Sequence, residues 1–467
     1  MSEVIASVGE ASAWLEGLIN FERGASYANV RLDLEPIRKL LARLGNPQAS
    51  LSIIHVAGSK GKGSTCLFAE SILTALGERV GTFTSPHLES WTERFRIGGS
   101  PVQGQLLADA VEAVRPHVEA LQDENPESAP TFFDATTAAA LLLFARSRVS
   151  RVLLEVGLGG RLDSTNAVQP AVTCITQIEL EHTEKLGDTL AAIASEKAGI
   201  IKPGVPCIMG PLEEEAGAVV VSRAEALAAP LFRWGNEVRV DRLETSEWSS
   251  QGIMADARQA FVYRERSGFE VSAGLGVLGA HQVDNAAMAI AAVRLLGGWK
   301  EADLIEAIRL GLSQASLPGR LELFGERPWL LVDSAHTERS AGSLRRALEA
   351  MPARRRLVVV SISRGKDSEK ILSELLVGAE VAWMTRAEPI RSIEPGDLAV
   401  LARRLAPQCR IECVEDPRTA VESARAMLSR DDLLCCAGSI YLAGIARRVF
   451  ADAGAQTGSR AGEAPAS

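Results

Sequence analysis

The stretch LSIIHVAGSKGKGSTCLFAESILTALG, Leu51 to Gly77, decides the fold. It opens on a short apolar run, Leu51 to Val56, with the length and composition of a buried strand. A glycine-rich loop follows, Gly58-Ser59-Lys60-Gly61-Lys62-Gly63. Phe68, Ile72, Leu73 and Leu76 then recur at helical spacing, and Gly77 marks the stop. Strand, glycine loop and helix in that order suit a phosphate. Glycines let backbone N–H groups wrap round phosphate oxygens, and the helix N-terminus adds partial positive charge. Lys62 adds a full charge, and a hydroxyl such as that of Ser64 can ligate Mg²⁺. The spacing is not that of a strict GxxxxGK[ST] motif. No glycine lies five residues before Gly61, and Gly63 separates Lys62 from Ser64. The plainer alternative is a flexible Gly/Ser/Lys loop between strand and helix.

Outward from the loop, strands and helices keep alternating. Upstream, Pro36 suits a first helical position, Ile37, Leu40, Leu41 and Leu44 follow as one face, and Gly45 ends the helix. Downstream, Arg79–Thr84, Val152–Val156 and Val172–Ile178 read as buried strands, with helical segments such as Thr136–Phe144 between them. This is the pattern of a mainly parallel sheet with covering helices. From about Leu231 to Leu278, segments such as FRWGNEVRVDRL alternate apolar and polar residues and predict a small antiparallel β patch. A helix follows over about Asp284–Leu296. After Leu317-Pro318-Gly319 the alternation restarts with strands at Trp329–Val332, Leu357–Ser361, Val381–Thr385, Ile411–Val414 and Leu433–Cys436. The expected organisation is therefore a first domain over 1–315, a smaller α/β domain over 316–453, and a disordered polar tail over 454–467.

Composition narrows the function. The 467 residues carry 59 acidic against 50 basic side chains, a net charge of −9, which argues against broad nucleic-acid binding. The seven cysteines form no CxxC pair and read as small buried residues of a reducing compartment. No apolar run is long enough to span a membrane, and the N-terminus lacks a signal-peptide pattern. A cytoplasmic enzyme acting on small molecules as a monomer is the expectation.

Several motifs in order carry a resemblance. HVAGSKGKGST is followed by FTSPHL (Phe83–Leu88), LEVGLGGRLDSTN (Leu154–Asn166) and EHTEKLGDTLAAIASEKAGIIKPG (Glu181–Gly204). GAHQVDNAAMAIAA (Gly279–Ala292), LPGRLE (Leu317–Glu322), DSAH (Asp333–His336) and GSIYLAG (Gly438–Gly444) complete the series. The chain resembles the folylpolyglutamate synthase/dihydrofolate synthase family of the Mur ligase superfamily over about residues 35–450. The resemblance implies a P-loop-containing ATPase domain followed by a Rossmann-like C-terminal domain. It also implies an ATP-dependent amide-bond ligase that adds L-glutamate to dihydropteroate, to the γ-carboxyl of reduced folates, or to both.

The same resemblance assigns residues. Gly58, Gly61, Lys62, Gly63 and Ser64 would hold ATP phosphates, Asn285 the adenine, and Arg320 a phosphate from the second domain. Ser64, Ser85, Glu155 and His182 would hold Mg²⁺, Ser64 from the phosphate side. Read alone, a Glu or His at a strand end is more often hydrogen-bonded scaffold. Lys197, in the EKAGI segment, would be carbamylated by CO₂; read alone it is a lysine near a helix C-terminus. Asp333 and His336 would contact ATP and the acyl-phosphate region, with Lys366 and Asp367 near the same cleft. Asp163 would serve a dihydropteroate pocket. Phe132, Phe133, Asp134, Thr136 and Thr137 are candidates for the same side, because aromatic faces stack on a flat heterocycle and a carboxylate accepts from its N–H groups. For the two phenylalanines, plain core is the alternative.

Two departures stand out. The family usually has Thr-Asn where this loop has Ser59-Lys60, and Asn where Thr337 follows DSAH. The charge of Lys60 is expected to favour phosphate. Thr337 lacks the amide fork of Asn. It leaves open a ligase for a different acid or amino acid, beside the monofunctional polyglutamylating enzyme and a non-catalytic nucleotide binder. A dinucleotide oxidoreductase is disfavoured, since the loop lacks GxGxxG.

Overall fold

The computed structural model describes residues 4–20, 33–243, 259–325 and 327–460. They divide into two compact units. The first gathers the chain up to Leu243 with Ala260–Gly274 and His281–Ala315; the second holds Leu275–Ala280 and the chain from Ser316 onward.

In the first unit eight strands form one sheet. They are β1 (Ile53–Ala57), β2 (Val80–Phe83), β3 (Phe95–Ile97), β4 (Ser100–Pro101), β5 (Arg151–Glu155), β6 (Val172–Ile175), β7 (Cys207–Met209) and β8 (Leu231–Arg233), in the order β4-β3-β2-β5-β1-β6-β7-β8. From β2 to β8 all pairs are parallel; β3 and β4 add an antiparallel edge. β1 lies inside the sheet and every residue in it is buried, as its apolar sequence requires of a strand covered on both faces. One core holds Ile53, Phe83 and Leu154 against the helices Glu35–Arg43, Gly104–Glu124 and Phe132–Arg146. Another holds Ala57, Val156 and Ile175 against the helices Leu190–Ala198 and Glu214–Ala226.

Register sets up the site. Val56 pairs with Glu155 on one side and Cys174 on the other, and Phe83 pairs with Leu154. Gly58, Ser85, Glu155 and Thr176 thus all lie at or just past the carboxyl ends of adjacent parallel strands, where ligands of open α/β sheets gather. The helix after the glycine loop, Lys62–Ala75, packs on His281–Leu296 and Glu301–Gln314. A Cβ on Gly311 would lie 2.7 Å from the Ser71 carbonyl oxygen, so only glycine permits that close crossing.

The antiparallel patch is smaller than its sequence reading. Leu231–Arg233 joins the main sheet parallel to β7, and only β9 (Val238–Leu243), β10 (Gln259–Glu265) and β11 (Glu270–Leu275) form the three-stranded sheet. Three residues are too few to show a period, so β8 merged with the alternating run that follows it.

The second unit has six strands, β12 (Glu322–Phe324), β13 (Trp329–Val332), β14 (Arg356–Val360), β15 (Val381–Met384), β16 (Arg410–Cys413) and β17 (Leu433–Ala437), in the order β12-β13-β17-β14-β15-β16. Only β12 is antiparallel. Helices such as Glu338–Glu349 bury one stripe, here Ala341, Leu344 and Leu348. The last helix, Ile440–Arg460, continues past Gly454, where the sequence placed a disordered tail. Small residues rich in alanine can extend a helix that has already nucleated on the sheet; residues 461–467 lie outside the described residues. Six cysteines are buried, but Cys413 is exposed, because it ends the edge strand β16. Among the described residues no helix is long and apolar enough to cross a membrane.

Candidate active site

The glycine loop is built by close approaches. Gly58 has φ +150°, and a Cβ there would fall 1.8 Å from Thr176 Oγ1. Gly61, the N-cap of the helix Lys62–Ala75, has φ +87°, and a Cβ would fall 2.3 Å from Asn285 Oδ1. Ser59 N donates to Gln177 O at 2.6 Å, Thr176 Oγ1 donates to Lys60 O at 2.6 Å, and Ser59 Oγ exchanges hydrogen bonds with the Glu179 backbone. The loop is therefore pinned, leaving N–H groups at a helix N-terminus. Lys62 Nζ folds back on the carbonyl oxygens of Gly58, 2.9 Å, and Ser59, 3.5 Å.

Glu155 ends β5 with its side chain turned to the loop. Its Oε2 accepts from Ser85 N at 3.1 Å and lies 3.3 Å from where a Gly63 Cβ would sit. Buried Ser64 follows Gly63 on the first helical turn. A carboxylate together with the side chains of Ser64 and Ser85 offers hard oxygen donors of the kind magnesium takes. His182 is the N-cap residue of the short helix Thr183–Leu186 after β6. It is half-exposed at φ +50°, with Nδ1 3.9 Å from Glu184. Among the described residues no three His, Cys, Asp or Glu side chains cluster as a metal centre by themselves.

Glu181 is the hub that sequence reading missed. Its Oε1 pairs with Lys197 Nζ at 3.2 Å and its Oε2 with Lys60 Nζ at 3.6 Å. Burial works against its charge, but Lys62, Lys197 and Lys60 outweigh burial and hold the carboxyl at about 2. Lys197 is 2% exposed, and burial lowers its ammonium to about 8 against the pull of Glu181. Lys60 is thus paired with a carboxylate that also holds buried Lys197. The signal was present as an acid beside His182, but nothing local announces partners 121 and 16 positions away.

Of the residues expected on the pterin side, Phe132 is core, while half-buried Phe133 lays its ring on Gly157 and stands 6.0 Å from Phe83. Asp134 closes the capping box of its helix with Thr131 and accepts from Ser164 Oγ at 2.6 Å. Thr136 Oγ1 donates to Phe132 O, and Thr137 is fully buried. Asp163 caps the short turn Ser164–Ala167 and accepts from Leu158 N at 2.8 Å and Thr165 N at 3.0 Å. Burial raises it to about 6, against those hydrogen bonds. Asn285, placed on the adenine by resemblance, has its Nδ2 on Gln282 and its Oδ1 against Gly61, beside the phosphate loop.

In the second unit, Asp333 follows β13 with Oδ2 accepting from Leu321 N and Oδ1 from Ala335 N, both at 2.7 Å. Burial raises its carboxyl, opposed by Arg320 and these N–H groups. Exposed Arg320 reaches Gly319 O with Nη1. His336 Nδ1 is 2.7 Å from Ser334 O, so the neutral ring carries its proton on Nδ1 and keeps Nε2 as the basic nitrogen. Thr337 is an N-cap whose hydroxyl accepts from Ser340 N, which gives the departure from Asn a structural role. Asp367 caps the helix Ser368–Leu375, and Lys366 precedes it in the turn from Ser363.

Comparison with known proteins gives the family. Residues 56–293 match the Mur ligase middle domain, and 319–440 match the Mur ligase glutamate ligase domain. The dihydrofolate synthase/folylpolyglutamate synthase of Bacillus subtilis is 34% identical over 438 residues, 92% of this chain and 96% of that one. The Escherichia coli enzyme of the same name is 33% identical over 82% of each chain. Mycobacterium tuberculosis folylpolyglutamate synthase complexed with ADP superposes with a TM-score of 0.84, at 27% identity over 98% of this chain and 99% of that one. Escherichia coli FolC in complex with DHPP and ADP gives 0.81, at 28% identity over 97% and 100%. Glycine cradle, oxygen set and lysine hub therefore stand in a chain that belongs to the dihydrofolate synthase/folylpolyglutamate synthase family of Mur ligases.

Proposed function

We propose that this chain is an ATP-dependent ligase that adds L-glutamate to dihydropteroate and to the γ-carboxyl of reduced folates. The observation that carries the reading is the pinned glycine cradle, with Lys62 over it and Glu155 beside it. Relatives matched over 96% and 82% of their own length bear both activities in their names.

A carboxylate does not condense with an amine in water unaided. In this reading an oxygen of the acceptor carboxylate attacks the γ-phosphorus of ATP, giving an acyl phosphate and ADP. The glutamate amine then attacks the acyl carbon, the C–N bond forms, the C–O bond to phosphate breaks, and the amine loses a proton. Lys62 leaves its loop carbonyls for the transferring phosphoryl group and offsets its charge, with the N–H groups of Gly61 to Ser64 around it. Ser64, Ser85 and Glu155, with His182, are the residues that would hold Mg²⁺, which neutralises phosphate charge. By the resemblance, His336 would contact the acyl-phosphate region and Arg320 would bind phosphate. Asp333 holds its loop in shape.

Lys197 fits carbamylation. Reaction with CO₂ needs the neutral amine, which burial favours here. A ¹³C carbamate signal after incubation with ¹³C-bicarbonate, absent in Lys197→Gln, is the expected result. Phe133 and Asp163 form the heterocycle side of the acceptor pocket, and the enzyme acts as a monomer in the cytoplasm. Light scattering should report one chain per particle.

The test is ADP release with Mg–ATP and L-glutamate against three acceptors: none, dihydropteroate and tetrahydrofolate. Release with both acceptors, and product masses raised by one glutamyl unit, is expected. Release with tetrahydrofolate alone would move the reading to a monofunctional polyglutamylating enzyme. Silence with both would overturn it.

A further inference from the structure

His55 is out of character in its strand. Its neighbours are Ile53, Ile54, Val56 and Ala57, and its ring is wholly buried. Nε2 lies 2.8 Å from Thr165 Oγ1. That hydroxyl donates to Asp163 Oδ1. A hydroxyl has one proton, so Oγ1 must accept from Nε2, and the ring carries its proton there. The result is a one-way chain of donors, His55 to Thr165 to Asp163. Among the described residues Nδ1 has no hydrogen-bond partner, and burial, then Lys202, lowers the ring to about 3. The imidazole is therefore neutral, and the Thr165 hydrogen bond to Asp163 selects its Nε2–H tautomer.

Holding the turn does not require this histidine. Ser164 ties it to Asp134 at 2.6 Å, and Asn166 Nδ2 ties it to Arg161 O at 2.9 Å and Gly199 O at 3.2 Å. An aliphatic side chain would fill β1 without an unpartnered nitrogen. What the histidine adds is direction: with Nε2 donating, the Thr165 proton has only Asp163 to go to. The carboxylate is then gripped at Oδ1 by Thr165 and at Oδ2 by Leu158 N.

We propose that His55 is a positioning residue for the acceptor acid: through Thr165 it fixes the Asp163 carboxylate in the orientation that receives the N–H groups of a flat heterocycle. This rests on the reading of Asp163 as an acceptor-side group.

The test compares Asp163→Asn, His55→Leu and His55→Gln with the unaltered enzyme, using dihydropteroate, ATP and L-glutamate. Asp163→Asn is expected to raise KM for dihydropteroate by about fiftyfold. His55→Leu should raise it by about tenfold, with kcat and KM for ATP within about twofold. His55→Gln, which keeps a donor, should restore it to within about threefold. If Asp163→Asn leaves that KM unchanged, the reading of Asp163 falls and the proposal with it. If Asp163→Asn acts and His55→Leu does not, only the proposal falls. The unaltered protein gives a second measurement, independent of how the variants fold. ¹⁵N-histidine spectra should show one neutral, Nε2-protonated ring that does not titrate from about pH 5 to 8. An Nδ1-protonated or titrating ring in its place would overturn the proposal.

Discussion

Two strand ends in this chain carry charged residues, and they are held in different ways. After β1, Lys60 and Lys62 approach one carboxylate, Glu181, which also holds Lys197. After β13, the carboxylate of Asp333 has both oxygens filled by N–H groups of its own loop. In the first arrangement Lys60 and Lys197 are balanced against a side chain, and Lys62 rests on two loop carbonyl oxygens. An arriving phosphate can take a lysine from such a balance, because an ion pair and a phosphate compete for the same ammonium. The second is backbone gripping a side chain, and it changes only if the loop changes. The first end is built to exchange partners, and the second to keep its shape.

The largest effect should come from Lys62. Lys62→Ala removes the cation that lies over the cradle but leaves the glycine turns and the Glu181 pairs with Lys60 and Lys197 in place. Steady-state kinetics should show kcat/KM for ATP down by about a thousandfold, with little change in melting temperature. A loss under about tenfold would mean that Lys62 only braces its loop carbonyls, and the contrast between the strand ends would fail.

Asp333→Asn should behave in the opposite way. The amide must aim its NH₂ at one of two backbone N–H donors, so one buried hydrogen bond becomes a clash. Denaturant unfolding should show a loss of up to about 3 kcal/mol, with kcat reduced less than stability suggests. A kcat loss matching that of Lys62→Ala, at unchanged stability, would place Asp333 in the chemistry instead.

Asp163 lies between the two kinds, a buried carboxylate held by one side chain and two backbone N–H groups. Its folded pKa, raised by burial to about 6, lies above its ordinary value. The stability it contributes is therefore full below about pH 4 and is lost as pH rises through about 6. Relative to Asp163→Asn, the unaltered protein should lose on the order of 2 kcal/mol over that window. Its KM for dihydropteroate should rise as pH falls below about 6, because a protonated carboxyl accepts poorly. Parallel curves for the two proteins would show that the group titrates elsewhere.

Most of the fold is legible in the sequence, because the strands buried on both faces are continuous apolar runs and their helices carry clear stripes. β13 is read at its true bounds, and β1, β5 and β14 to within two residues. β8 was lost to its shortness, and the end of the last helix to a composition that looks like tail. The site is legible only where chemistry is local. Gly58 to Ser64 announce a phosphate turn, and Glu155 stands out at the end of an apolar strand. Glu181 and His55 do not, because what matters about them is a partner brought close by the sheet. The same limit hides the pairing of Lys60 with Glu181.

Thr337 gives the smallest effect and the sharpest question about the second strand end. Its hydroxyl accepts from Ser340 N, and Ser340 Oγ accepts in turn from Thr337 N at 3.0 Å, a closed capping box. Asparagine is as good an N-cap as threonine, whereas alanine is not, so Thr337→Ala should cost about 1 kcal/mol and Thr337→Asn almost nothing. If capping is all that this position does, both variants keep KM for L-glutamate within about twofold. An amide that also bound the incoming amino acid would instead lower that KM in Thr337→Asn. Thr337→Ala would still lose only its cap, so the two substitutions would separate in kinetics as well as in stability. Unfolding curves and glutamate kinetics on the same pair of variants therefore decide whether the loop after β13 is held purely as scaffold or also faces a substrate.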